Sequence, residues 1–322
     1  MLYVSTGSGP RRLLDTHERL GKDALWIDLK EPTDHERAEV ERATGLVVPA
    51  KSDLEEIESS SRLSRDGKRL TLSTTMSFKG KDGMPCKAPL GFVLSPEHLI
   101  TVRFNDLVVF DSFGDRFAAT GEPCSQGAFV ALAEAIVDRL ADVLEQAGSE
   151  LDAISHQVFG PHTDRGNLAK IDLELRATLR AIGQCGERVS NVRDSILGMQ
   201  RIALYVHDVA GDWFPPALLP RLQTVRQDLA SLADYDSQLT SKVQFMLDAT
   251  LGFINIEQNN GIKILTVVSV VGVPPTLIAS MYGMNFKNIH EYDWAYGYQY
   301  GLTLIFLSAV IPLLWFKRKG WI

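Results

Sequence analysis

The sequence predicts an α+β protein in which a cytoplasmic α/β domain is followed by long helices and by a two-helix transmembrane hairpin at the C-terminal end. Three observations predict it. Residues 262–282 and 298–316 are nearly uncharged runs of membrane length. Residues 125–261 place apolar side chains at helical spacing with few breakers. Residues 1 to about 120 instead alternate short apolar runs with turn residues. The expected divisions are 1–124 for the α/β domain, 125–214 for an antiparallel helical pair, 215–261 for a stalk helix and 262–322 for the membrane domain. Within the last, the first span is 262–282, the outer loop 283–297 and the second span 298–316, followed by a basic tail.

In chain order, ALWIDL, LTLSTTMSF, LGFVL, LITVRF and LVVF are short apolar runs mixed with turn residues and at least one helical stretch rich in Glu, a pattern that suggests a small α/β domain. From Ser125, taken as a cap, Phe129, Leu132, Ile136, Leu140, Leu144, Leu151 and Ile154 recur on one helical face. A second helical run over about 164–212 pairs with it. After Pro215 and Pro216, the positions Leu229, Leu232, Asp236, Leu239, Val243, Met246, Thr250, Phe253 and Glu257 alternate by three and four, the period of helices sharing a seam. No Gly or Pro interrupts this run before Gly252. The stalk therefore continues into the first span as one helix of about 65 residues, roughly 100 Å long. An ordinary bundle within the chain and an oligomeric stalk both satisfy the pattern.

The two spans read IKILTVVSVVGVPPTLIASMY and YQYGLTLIFLSAVIPLLWF, and each covers about 30 Å of hydrocarbon. Lys263 and the cluster Lys317, Arg318 and Lys319 outweigh Lys287 in the intervening loop, so both termini are expected in the cytoplasm. The first 261 residues carry 28 basic and 38 acidic side chains, the last 61 five and two. An acidic body has no footprint for nucleic acid, which excludes that partner. Cys86, Cys124 and Cys185 are odd in number and far apart, so neither a disulfide framework nor a CxxC metal site is available. The chain has no GxxxxGK[ST], HExxH, GxSxG or helix-opening GxGxxG, and neither an enzyme nor an organic cofactor is expected.

One pattern carries chemistry. Asn259, Ile262, Leu265, Ser269, Val273, Thr276 and Ser280 fall on one face of the first span, leading to Asn285. If several chains surround an axis, this face becomes a pore wall: amide and hydroxyl rings hydrogen-bond the waters of a hydrated ion, and Leu265 and Val273 form narrow apolar rings. Mg²⁺ yields its water reluctantly, so neutral oxygens suit it. The competing account is that the hydroxyls bond their own helix carbonyls and the stripe is only a helix contact. Pro274 and Pro275 free carbonyls in mid-span, and Gly283 lets the chain leave the helix. Glu291 and Asp293 in the outer loop either attract cations or are simply solvated.

Tyr282-Gly283-Met284-Asn285 at the end of the penultimate helix, two terminal membrane segments and the closing Lys-Arg-Lys cluster resemble the CorA family of magnesium and cobalt transporters. The string from Gly252 to Phe286 is similar to that family's pore-helix block, and Leu25 to Arg37 and Leu54 to Arg62 to other family segments. The resemblance implies a homopentameric funnel in the cell inner membrane that admits Mg²⁺, with Co²⁺ and Ni²⁺ as surrogates, down the membrane potential. It implies that Gly283, Met284 and Asn285 form the selectivity filter. Asn259, Leu265, Val273 and Thr276 would line the path, and Asp248 would join a regulatory Mg²⁺ site between subunits. Two departures stand out: Ile289-His290-Glu291-Tyr292 replaces the common Met-Pro-Glu-Leu, and Val273 stands where some members carry Met. A Zn²⁺ carrier of the ZntB branch shares the motif. A membrane-anchored scaffold or sensor is the alternative from another class.

Overall fold

The computed structural model describes the chain except residues 7–10, 16–17, 22, 57, 59–61, 81–82, 121, 123, 161–167, 285–292 and 322, and except the side chains of 118–120 and 168–172. The chain divides into two compact units, one of residues 1–161 with 177–247, the other of residues 162–176 with 248–322.

The first unit is built on a seven-stranded sheet: β1 (Leu2–Ser5), β2 (Arg12–Leu13), β3 (Trp26–Lys30), β4 (Leu63–Asp66), β5 (Arg69–Lys79), β6 (Pro85–Leu94) and β7 (Leu99–Arg103), in spatial order β2-β1-β3-β7-β6-β5-β4. Only β3 and β7 pair in parallel, with Ile27 opposite Ile100 and Leu29 opposite Val102. Both strands are buried almost throughout, so their apolar residues occur on both faces, and the polar residues Asp28, Thr101 and Arg103 are buried with them. One face of the sheet contributes Leu2, Val4, Ile27, Val93 and Ile100 to a core closed by Val40 of α1 (Asp34–Thr44) and Leu54 of α2 (Lys51–Glu55). Thr33 and Glu36 start α1 as a reciprocal capping box, the Thr33 amide donating to Glu36 at 2.8 Å and the Glu36 amide to Thr33 at 3.3 Å. On the other side Trp26 meets Phe113 and Phe117 of α3 (Val108–Thr120), at ring distances of 5.2 and 5.3 Å. Phe92 meets Phe129 of α4 (Ser125–Phe159) edge-on at 5.8 Å.

The cap of α4 corrects the expectation drawn from Ser125. Cys124 is the N-cap, its sulfur accepting from the Gly127 amide at 3.4 Å, while Ser125 is the first helical residue and donates its hydroxyl to the Ser95 carbonyl at 2.6 Å. Spacing alone does not reveal that a strand end lies in reach of that hydroxyl.

Three long helices complete the unit: α4, α5 (Leu168–Val209) from residue 177 onward, and the first part of α6 (Leu219–Tyr282), which follows a 3₁₀ turn at Pro216–Leu218. Glu134 meets Arg221, Gly148 meets Tyr235, Asp152 meets Lys242 and Phe159 stacks on Phe245, so α4 and α6 run in parallel. Arg193 faces Asp236 and Gly186 faces Val243, so α5 runs against both. Helix α5 also lies on the sheet, where Ser195 accepts from the Ser77 amide at 2.9 Å. Gly198 permits this approach, since a Cβ there would fall 1.8 Å from the Thr74 hydroxyl. The seam residues Leu229, Leu239, Val243 and Met246 are buried, and so is the carboxylate of Asp236.

The second unit contains the rest of α6 and α7 (Gly297–Arg318), the two helices long and apolar enough to cross a membrane.

Candidate ion pathway

Helix α6 remains helical through Pro274 and Pro275. Two prolines in succession supply no amide hydrogens, so the carbonyls of Val270 and Val271 lack their usual donors one turn back. In the single chain each membrane-length helix is half-covered along one stripe only: Val267, Val271, Pro274, Ile278 and Tyr282 on α6, and Gly301, Leu304, Ile305, Ser308 and Pro312 on α7. The remaining apolar surface is open, with Leu265 67% and Val273 62% exposed. Apolar area on this scale is untenable in water and calls for lipid or further protein.

All seven positions of the sequence-derived stripe, Asn259, Ile262, Leu265, Ser269, Val273, Thr276 and Ser280, lie on the open part of α6. The hydroxyl of Ser269 donates to the Leu265 carbonyl and that of Thr276 to the Gly272 carbonyl, each at 2.8 Å. Thr266, just off the stripe, donates to Ile262 in the same way. These hydroxyls have spent their hydrogens on the backbone, and what they present outward is oxygen lone pairs. The competing account of the stripe anticipated this bonding, yet the bonding also fixes the polarity of the face as accepting.

At the far end α6 stops at Tyr282. The Gly283 amide donates back to the carbonyls of Ala279 at 2.9 Å and Ser280 at 3.2 Å, and a side chain at Gly283 would press on the Ala279 oxygen at 3.2 Å. Met284 is exposed, and its amide reaches the Met281 carbonyl at 3.3 Å. Asn285 and Glu291 lie outside the described residues; Asp293 is exposed just before α7. Asp248 is exposed on α6, and among the described residues no group of three or more His, Cys, Asp or Glu side chains is gathered to hold a metal.

Two features escaped the sequence reading. Arg221 grips Glu134 at 2.9 and 2.7 Å and Glu122 at 2.5 Å, anchoring the start of α6 to α4; partners 87 and 99 residues away leave no local signal. At the end of α7 the chain folds back through Gly320, and the Gly-Trp pair after the basic cluster was the available clue.

A mixed sheet and long helices are joined by one continuous helix to a pair of membrane-length helices, the architecture of a membrane protein with a large domain outside the bilayer. The chain belongs to the CorA-like Mg²⁺ transporter protein family, whose model matches residues 21–318. It is 33% identical over 304 residues, 93% of this chain and 92% of the relative, to the magnesium transport protein CorA of Salmonella typhimurium. The complete structure of the CorA magnesium transporter from Methanocaldococcus jannaschii is similar with a TM-score of 0.77 at 19% identity, covering 100% of this chain and 99% of that one. The ZntB cytoplasmic domain from Vibrio parahaemolyticus is similar with a TM-score of 0.50 at 10% identity, over 79% of this chain and 98% of that one.

Proposed function

We propose that this chain assembles as a homopentamer in the cell inner membrane and conducts Mg²⁺ inward along an axis surrounded by its α6 helices, with Co²⁺ and Ni²⁺ as surrogates. The observation that carries this reading is the hydroxyl bonding on the open face of α6. A hydrated Mg²⁺ turns the oxygens of its waters inward and their hydrogens outward, so its outer surface donates. Rings of Ser269, Thr276 and Ser280 oxygens and the Asn259 carbonyl accept from such an ion without stripping it. Leu265 and Val273 supply apolar rings between them, able to dewet and close. Gly283, Met284 and Asn285 form the filter at the outer mouth, and Glu291 and Asp293 raise the local cation concentration there. Both termini face the cytoplasm. Moving a doubly charged ion inward gains about 4.6 kcal/mol per 100 mV, so no nucleotide is required.

Closure follows from Mg²⁺ binding between subunits at sites that include Asp248. The ligands come from neighbouring copies, and occupancy opposes the mutual repulsion of acidic rings.

Proteoliposome uptake of Mg²⁺ by wild type and Asn285→Ala tests the reading. Loss of uptake with assembly intact is expected, and normal Mg²⁺ uptake by the variant overturns the filter role. His290 favours a second reading, Zn²⁺ transport, because it adds an imidazole ligand suited to Zn²⁺ where the commoner proline offers no ligand at all. Uptake that prefers Zn²⁺ and follows a pH gradient would select it.

A further inference from the structure

The C-terminal end of α7 holds three exposed cations, Lys317, Arg318 and Lys319, none with an ion-pair partner within 4.0 Å among the described residues. The nearest preceding carboxylate in the sequence, Asp293, lies beyond the opposite end of the helix. The chain nevertheless folds tightly here. Gly320 adopts φ 70°, its amide donates to the Lys317 carbonyl at 3.2 Å, and the Trp321 amide reaches back to the Phe316 carbonyl at 3.1 Å. This is the six-to-one closure that only a residue free of Cβ penalty makes cheaply. It lays the Trp321 ring on Phe316 at 5.3 Å, with Trp315 on the same phenylalanine at 5.1 Å and the Lys319 ammonium 5.8 Å from the Trp315 ring. Phe316 is 3% exposed beneath them, whereas Trp315 and Trp321 stay open. Two amphipathic indoles at the end of an apolar span fix its depth at the boundary between hydrocarbon and headgroups.

We propose that this aromatic-backed basic hook is a headgroup site for an anionic phospholipid, whose phosphate is held by Lys317, Arg318 and Lys319 while its acyl chains run beside α7. No carboxylate among the described residues pairs with this charge, the fold-back holds the three cations together, and at that depth the anion within reach is a lipid phosphate. The inference rests on α7 spanning the bilayer.

The test is native mass spectrometry of the full-length protein released from nanodiscs of mixed phosphatidylglycerol and phosphatidylcholine. Wild type is expected to retain phosphatidylglycerol preferentially, with roughly a fivefold loss of preference for each of Lys317→Gln and Lys319→Gln. Gly320→Val, which keeps every charge but strains the turn, should lose preference too, and removing the ring in Trp321→Ala should weaken it. Equal retention of both lipids by wild type overturns the proposal, as does displacement of the lipid by millimolar inorganic phosphate, which would make this a site for free anions. Labelling of a cysteine placed at position 319 from each side of sealed vesicles reports separately on orientation. Label entering from outside would sink the expected topology and leave the lipid measurement standing.

Discussion

Arg103, fully buried at the end of β7, donates to the carboxylate of Asp28 on β3 through Nη2 at 3.0 Å and Nε at 3.2 Å. Asp28 accepts in addition from Arg11 at 2.5 Å and from the Thr101 hydroxyl at 2.9 Å, and that hydroxyl accepts from the Trp26 indole at 3.2 Å. The pair ties the two parallel strands together by side chains as well as by backbone. Replacing Asp28 with Ala leaves the buried guanidinium groups of Arg11 and Arg103 only the exposed Asp111 carboxylate, at 3.2 and 3.5 Å, which should cost about 3–5 kcal/mol. Thermal melting of the detergent-solubilised protein checks it; a cost below about 1 kcal/mol would show the network to be dispensable.

Asp236 should give stability an inverted pH dependence. It is 1% exposed on α6, its Oδ1 has no hydrogen-bond partner among the described residues, and Arg193 stands 3.9 Å away. Burial, with Asp194 adding to it and Arg193 opposing, pushes its carboxyl up to about 6. The folded state therefore binds this proton more tightly than the unfolded chain does. Its stabilising contribution is complete below about pH 4 and is lost as pH rises through about 6. Asp236→Asn should raise stability at pH 7.5 by on the order of 2 kcal/mol and flatten the profile between pH 4 and 6.5. An unchanged slope would remove Asp236 as its source.

Gly198→Ala should destabilise by about 1–3 kcal/mol, because its new methyl falls 1.8 Å from the Thr74 hydroxyl. Thr74→Ala in the same chain should recover part of the loss. Additive effects in a double-mutant cycle would mean that α5 and β5 do not press on each other there.

Thr276→Val keeps the shape of the side chain and deletes the outward lone pairs. Mg²⁺ uptake by Thr276→Val should fall roughly tenfold, about one net hydrogen bond, while Thr276→Ser retains it. Uptake unchanged in Thr276→Val would favour a purely structural role for the stripe.

Among these features, those visible in the chain differ from the rest in range. The membrane-length runs, the seam over Leu229 to Met246 and most of the short apolar runs depend on spacing within a few residues, and periodicity reports such burial directly; LVVF is the exception, since Val108 to Phe110 open a helix. The Tyr282 to Asn285 motif was legible instead through its resemblance to the CorA family, whose model covers those residues. The Cys124 cap, the Gly198 approach and the Arg221 to Glu134 grip were not legible, because each depends on a partner brought in from another element.

A linear chain thus specifies its own amphipathic faces: which side of α6 is apolar, where acceptor oxygens recur along it, and where the helix stops at Gly283. Whether Asp28 is a solvated carboxylate or the hub of a buried ion network is a question of what surrounds it, and one composition serves either outcome. Only packing in three dimensions removes water from a side chain, and the loss of that water turns Asp28 into a strut and Asp236 into a proton-binding group.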